Sequence, residues 1–150
     1  MNNMEIRPYK RLAQYWETDQ MGIIHHSNYV RWFEEARIDF MGQCGFPYTA
    51  LEQRGILMPV LGVSLDYVKP ARFADTVKIE MQILDFIQTH GVRFRVSYAV
   101  WNDLTGELLT TGESRHCFTD RELRVSRIKR DHPDVYDVFA RMEEEAQTNS

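Results

Sequence analysis

Three features of this 150-residue chain predict an α+β fold, an antiparallel sheet around one central helix. An early segment repeats apolar side chains at three- and four-residue steps, and several later segments alternate apolar with polar residues. The links between those later segments are also short. A parallel crossover needs about a dozen residues or more, so short links favour antiparallel neighbours.

A first strand is expected over 10–17. The helix over 28–44 follows, with Tyr29, Trp32, Phe33, Ala36, Phe40 and Cys44 on one stripe, which should be buried. Gly45-Phe46-Pro47 interrupts the period, and Pro47 can start a second short helix over 48–53, closed by Gly55. The period then changes to two. Leu61, Val63, Leu65 and Tyr67 alternate with polar or small residues, as do Val77, Ile79, Met81 and Ile83, so each run reads as a strand with one buried face. The runs 92–101 and 107–118 flank Asn102-Asp103-Leu104-Thr105-Gly106, a turn-rich link that predicts a hairpin. Pro133 can open a last helix over about 133–145, whose Val135, Tyr136, Val138, Phe139 and Met142 form a docking face. The polar tail 143–150 is expected to fray.

A 43% hydrophobic composition with three Trp, seven Tyr and eight Phe suffices for one packed core, so a single domain over 1–150 is expected. The net charge of −4 and a pI near 5.7 argue against nucleic-acid binding, which needs a basic face. No apolar run approaches the ~18 residues of a membrane span, and the amino terminus lacks a signal-type apolar region. A soluble, cytoplasmic protein is expected. Cys44 and Cys117 are too few for a disulfide framework and lack metal-ligand spacing, so both read as buried thiols.

The candidate chemistry lies between the first strand and the helix. Asp19 precedes Gly22 by three residues, and on base rates such an Asp is a turn former. His26, seven residues after Asp19, stands at the start of a helix whose free N–H groups carry roughly half a positive charge. A helix end of that kind polarises a carbonyl. Thioester hydrolysis needs those two elements, donors aimed at the developing oxyanion and a carboxylate that attacks the carbon or activates water. Neither metal nor cofactor is required. His25 and His26 would point to opposite sides of an extended segment and have no ligand partner at metal spacing, so a loop pair is expected. Ser27 and Asn28 read as helix caps. On the helix, Arg31 with Glu35 and Glu34 with Arg37 match surface-pair spacings, and the mid-helix carboxylates lie away from the positive end.

These residues resemble the hot-dog-fold acyl-CoA thioesterases of the 4-hydroxybenzoyl-CoA thioesterase type, including the YbgC-like bacterial proteins. The signature stands here as Tyr15, Glu17-Thr18-Asp19, Gly22-Ile23-Ile24, His26, Asn28-Tyr29 and Trp32-Phe33-Glu34-Glu35-Ala36-Arg37. Tyr67-Val68-Lys69-Pro70-Ala71-Arg72-Phe73-Ala74-Asp75 is similar to that family's turn between strands. The likeness covers about residues 8–119. It implies a five-stranded sheet wrapped around the long helix, dimers or tetramers, and active sites between subunits. It also implies that Asp19 is the catalytic carboxylate and that the backbone amide of His26 binds the thioester carbonyl. Tyr15, Gly22, Ile24, His25, Asn28 and Tyr29 would line the substrate. Met21 and His25 depart from the family pattern and bear on the acyl end. Lys69 and Arg72, with Arg93 and Arg95 as further candidates, carry charges suited to the phosphates of an acyl-CoA. The implied partner is that substrate and a second copy of the chain. Two other functions stay open at this point, a hot-dog hydratase or dehydratase and a non-catalytic module binding acyl or aromatic ligands. The first needs a His and acid pair at the α- and β-carbons, and the His-rich Gly-Pro signature of that branch is absent.

Overall fold

The computed structural model describes residues 5–148, with side chains through residue 146. Five strands form one sheet: β1 (Tyr9–Leu12), β2 (Val60–Tyr67), β3 (Thr76–Leu84), β4 (Arg93–Asn102) and β5 (Leu108–Cys117). They lie in the order β1-β3-β4-β5-β2, and every neighbouring pair is antiparallel. The long helix α1 (Asn28–Gln43) and the short α2 (Tyr48–Gln53) precede β2, and α3 (Ile128–Asp131) and α4 (Pro133–Thr148) follow the sheet. This is the α+β, hot-dog arrangement.

The sheet buries one face. On β4 the side chains of Phe94, Val96, Tyr98 and Val100 are all buried, and Val77, Ile79 and Ile83 do the same on β3. Both long helices cover that face: the Phe33 ring of α1 stacks on Tyr98 at 4.0 Å, and Phe139 of α4 lies 5.5 Å from Phe94. Burying each large apolar side chain stabilises the fold by about 1.5–3 kcal/mol. The predicted stripe of α1 is buried throughout, from Tyr29 to Cys44. Its close seat depends on Gly112 in β5, where an added Cβ would lie 2.6 Å from the Phe33 ring. A polar line runs through this interface: Arg37 Nη1 donates to Tyr98 Oη (3.0 Å), Tyr98 Oη pairs with Ser114 Oγ (2.6 Å), and Ser114 Oγ with His116 Nε2 (2.6 Å). Cys44 and Cys117 are free and buried.

Several expectations are corrected. The first strand stops at Leu12, and residues Tyr15–Glu17 form a 3-10 turn, because the Glu17 carboxylate folds back to accept the Gln14 N–H at 2.8 Å. β2 does not bury one face. Leu61, Val63 and Tyr67 are about half exposed, because β2 is an edge strand that the helices cover only in part: Leu65 packs against the core and the Tyr67 ring meets Tyr29 of α1. The tail does not fray from Glu143. The last helix continues to Thr148, and buried Glu143 accepts the Ile87 N–H at 2.8 Å; residues 149–150 lie outside those described. The one-turn α3 is an element the periodicity did not reveal. The surface pairs expected on α1 are not formed: Glu35 accepts from Arg11 and Tyr9 of β1, and Arg37 turns inward to Tyr98.

Candidate active site

From β1 the chain is pinned to the loop before β3, since Ala13 N–H donates to Asp75 O (2.8 Å) and Ala74 N–H to Ala13 O (3.1 Å). After the 3-10 turn, residues 18–24 form a tight reversal in which Thr18 pairs with Ile24, and Asp19 N–H bonds Ile23 O at 2.8 Å. The reversal needs Gly22 at φ 77, a left-handed backbone that side-chain-bearing residues avoid. Asp19 Oδ1 accepts the Met21 N–H at 2.8 Å, with the Ile23 N–H farther off at 3.5 Å. The carboxylate therefore stabilises its own turn through one oxygen. Oδ2 accepts no hydrogen bond among the described residues.

The strand of this reversal then enters α1. His25 N–H donates to Glu17 O (2.8 Å), and so does the side chain of buried Asn28 through Nδ2 (2.9 Å). Neither Ser27 nor Asn28 caps the helix with its side chain; Ser27 Oγ pairs with His25 Nδ1 at 2.8 Å instead. His25 and His26 do not face opposite sides either. The chain is already turning here, and the two rings lie 4.1 Å apart at 30°, with His26 exposed. Among the described residues, no three His, Cys, Asp or Glu side chains come together as a metal site.

The His26 carbonyl is held by a residue that the sequence reading missed as a site contributor. Tyr67, at the end of β2, donates its hydroxyl to the His26 carbonyl at 3.1 Å, and its ring meets Tyr29 edge-on at 5.4 Å. Only the tertiary fold brings these residues together, across forty-one positions. The His26 N–H belongs to the preceding peptide, whose carbonyl, His25 O, accepts the Asn28 N–H at 3.0 Å, and it bonds to no group among the described residues. It stands at the positive end of α1. Tyr29 is buried, which pushes its phenol pKa up, and its hydroxyl accepts the Ala71 N–H at 3.3 Å. Ile24, also buried, donates its N–H to Ala71 O at 2.9 Å. The loop after β2 thus closes over the reversal from behind.

The fold collects Gly22, Ile24, His25, His26, Asn28 and Tyr29 with Asp19 in one segment. Tyr15 stands at its rim, 75% exposed and edge-on to Phe73 at 5.5 Å, with Trp16 and Met21 exposed beside it. Lys69 and Arg72 sit on the neighbouring loop after β2; Lys69 pairs with Glu107, and the Arg72 side chain is exposed. Arg93 and Arg95 are not part of this cluster. They begin β4 at the far end of the sheet, where Arg95 pairs with Asp85 (2.5 Å) and Glu113 (2.8 Å). A second missed contributor is Glu17, buried beneath the segment. Its place in the Glu-Thr-Asp signature was visible, but its partners were not.

Residues 13–147 match the family described as the thioesterase-like superfamily. The chain is 31% identical over 128 residues to a Bacillus subtilis (strain 168) protein named "Putative acyl-CoA thioesterase YneP", spanning 85% of this chain and 90% of that one. A protein of Aquifex aeolicus (strain VF5) named "Putative esterase" is 33% identical over 118 residues, 79% of this chain and 88% of its own. Among solved structures, a DHNA-CoA thioesterase from Staphylococcus aureus superposes with a TM-score of 0.86 at 29% identity, covering 96% of this chain and 95% of the other.

Proposed function

Because the chain belongs to the thioesterase-like superfamily, we propose that it hydrolyses acyl-CoA thioesters, with Asp19 as the reacting carboxylate and the His26 N–H as the oxyanion donor. One observation carries this reading: the peptide that bears the His26 N–H is held through its carbonyl, His25 O, by the Asn28 N–H at 3.0 Å, the next peptide is held through His26 O by Tyr67, and the N–H itself, just before α1, bonds to nothing among the described residues. A donor fixed in advance stabilises charge as it develops without reorganising. In a known enzyme, losing one such donor costs ~3–4 kcal/mol.

In the reaction, the Asp19 carboxylate attacks the thioester carbon or removes a proton from the water that attacks it. Either route puts negative charge on the carbonyl oxygen, where the His26 N–H meets it. Collapse expels the CoA thiolate; on the first route this leaves an acyl–Asp19 anhydride that water then cleaves to free acid and the restored carboxylate, and on the second the attacking water has already supplied the hydroxyl of the acid. Oδ1 is engaged by the turn and fixes the side chain, which leaves Oδ2 for the chemistry.

The reading includes a second copy of the chain. Exposed apolar residues flank the site on the 15–21 segment, at Phe73 and along the outer strand β2. Apolar surface of this extent favours a partner. Lys69 and Arg72, on the loop beside the site, are the proposed contacts for the phosphates of CoA.

The test is thiol release, followed with a thiol reagent, from short-chain, long-chain and aromatic acyl-CoAs. Turnover of at least one class is expected, and absence of release from all three would refute the activity. His26→Phe should keep most of the rate, since the donor is main-chain. A folded His26→Phe protein as inactive as one lacking Asp19 would transfer the role to the imidazole.

A further inference from the structure

The segment before α1 is organised around Glu17, a residue with no reacting role in the mechanism above. Its side chain is 1% exposed. Oε1 accepts from Arg11 Nη1 at 2.5 Å and from the Gln14 N–H at 2.8 Å, and Oε2 accepts from Trp32 Nε1 at 2.9 Å. Arg11 is itself held on α1, where its Nε donates to Glu35 Oε1 at 2.7 Å. A carboxylate buried to this degree is stable only when such partners replace its hydration. Here they come from β1, from the 3-10 turn and from the second turn of α1.

The main chain of the same residue performs a second task. Glu17 O accepts both the His25 N–H (2.8 Å) and Asn28 Nδ2 (2.9 Å). Those two donors lie on residues before and after His26. We propose that Glu17 is a positioning residue for the candidate site: its clamped carboxylate fixes the carbonyl that anchors His25 and Asn28, and thereby sets the direction of the His26 N–H. The proposal rests on the reading of that N–H as the oxyanion donor. Tyr67 holds the His26 carbonyl from the sheet side, and Glu17 holds His25 and Asn28 from the β1 side, so the short stretch containing the His26 N–H is braced from two elements. Asp19 lies two residues after Glu17, so the same anchor also sets where the reversal carrying the carboxylate begins.

Glu17→Gln tests this. The amide keeps the size but turns one end into a donor, which then faces Arg11, Gln14 N–H or Trp32 Nε1 with no acceptor between them. A purely structural role lowers stability and leaves the turnover of the folded protein intact. The positioning role lowers kcat by about tenfold or more at nearly constant KM, since a misplacement near 1 Å costs on the order of a hundredfold. Trp32→Phe removes one clamp donor, keeps an aromatic ring in the core, and should give a smaller loss of the same kind. It serves where Glu17→Gln fails to fold. Amide hydrogen exchange provides the readout that does not depend on turnover. In the variant, the His25 N–H should exchange at least about tenfold faster than in the wild type while amides of β4 are unchanged. Faster His25 exchange in the variants, with a wild type inactive on every acyl-CoA, would retain the brace and refute the thioesterase reading. Unchanged kcat together with unchanged His25 exchange in both folded variants would overturn the proposal.

Discussion

β2 and β3 carry the same alternation of apolar and polar residues, yet their apolar faces meet different surroundings. On β3, paired on both sides and covered by helices, Val77, Ile79 and Ile83 are at most 2% exposed. On β2, Leu61, Val63 and Tyr67 are 45–51% exposed. A period of two specifies which side chains share a face; it does not specify whether anything covers that face. The interior strands hold the fold together, and the outer strand, with the reversal beside it, holds the candidate chemistry.

The sharpest way to break this contrast is a matched truncation. Ile79→Ala should cost about 2–5 kcal/mol, because it opens a cavity in a closed core. Leu61→Ala should cost about 0.5 kcal/mol in the isolated subunit, as for other substitutions at solvated positions. Urea unfolding at low protein concentration measures both. Equal losses would mean that β2 is as much a part of the core as β3.

Acid sharpens the contrast from the covered side. His116 is buried against Phe94 on the inner face of the sheet, near the Arg37 guanidinium. Burial, and secondarily Arg37, push its pKa down to about 4, below the ordinary 6.5. The unfolded chain therefore takes up a proton that the folded chain refuses between those two values. The contribution to stability is complete above pH 6.5 and declines as pH falls toward 4, by about 3 kcal/mol in all. Urea midpoints over that range follow the decline, and His116→Phe should flatten it. An equally steep decline in that variant would assign the effect to other groups.

The uncovered side predicts a change in assembly with little change in folding. Val63→Lys places a charge in the exposed face of β2 and should convert the proposed dimer into a 17.8 kDa monomer by light scattering. Thermal unfolding of the isolated subunit should move little. An unchanged dimer would direct attention from β2 to another surface.

The parts of this molecule set by local repetition were legible in advance. The stripe of α1 appears in the sequence at helical steps, and the β4–β5 hairpin is announced by the turn residues between its strands. The parts set by long-range partners were not. Glu17 reads as one more residue of a first strand until Arg11, Trp32 and Gln14 are seen converging on its carboxylate. Tyr67 reads as the last apolar residue of β2 until its hydroxyl is found on the His26 carbonyl. At the site, Asp19 and His26 were visible through the turn, the helix start and the family signature, whereas the groups that orient them were contributed from elsewhere in the fold. α3 escaped because one helical turn is too short to show a period.

If the Asp19 carboxylate carries out thioester hydrolysis, thiol release from the best acyl-CoA substrate should separate Asp19→Asn from the wild type. Asparagine keeps the size and the turn-forming acceptor that bonds Met21 N–H, so the fold should persist by circular dichroism. The kcat of the variant should fall at least about a hundredfold, the scale on which a reacting carboxylate contributes. Retention of most of the wild-type rate by the folded variant would contradict it.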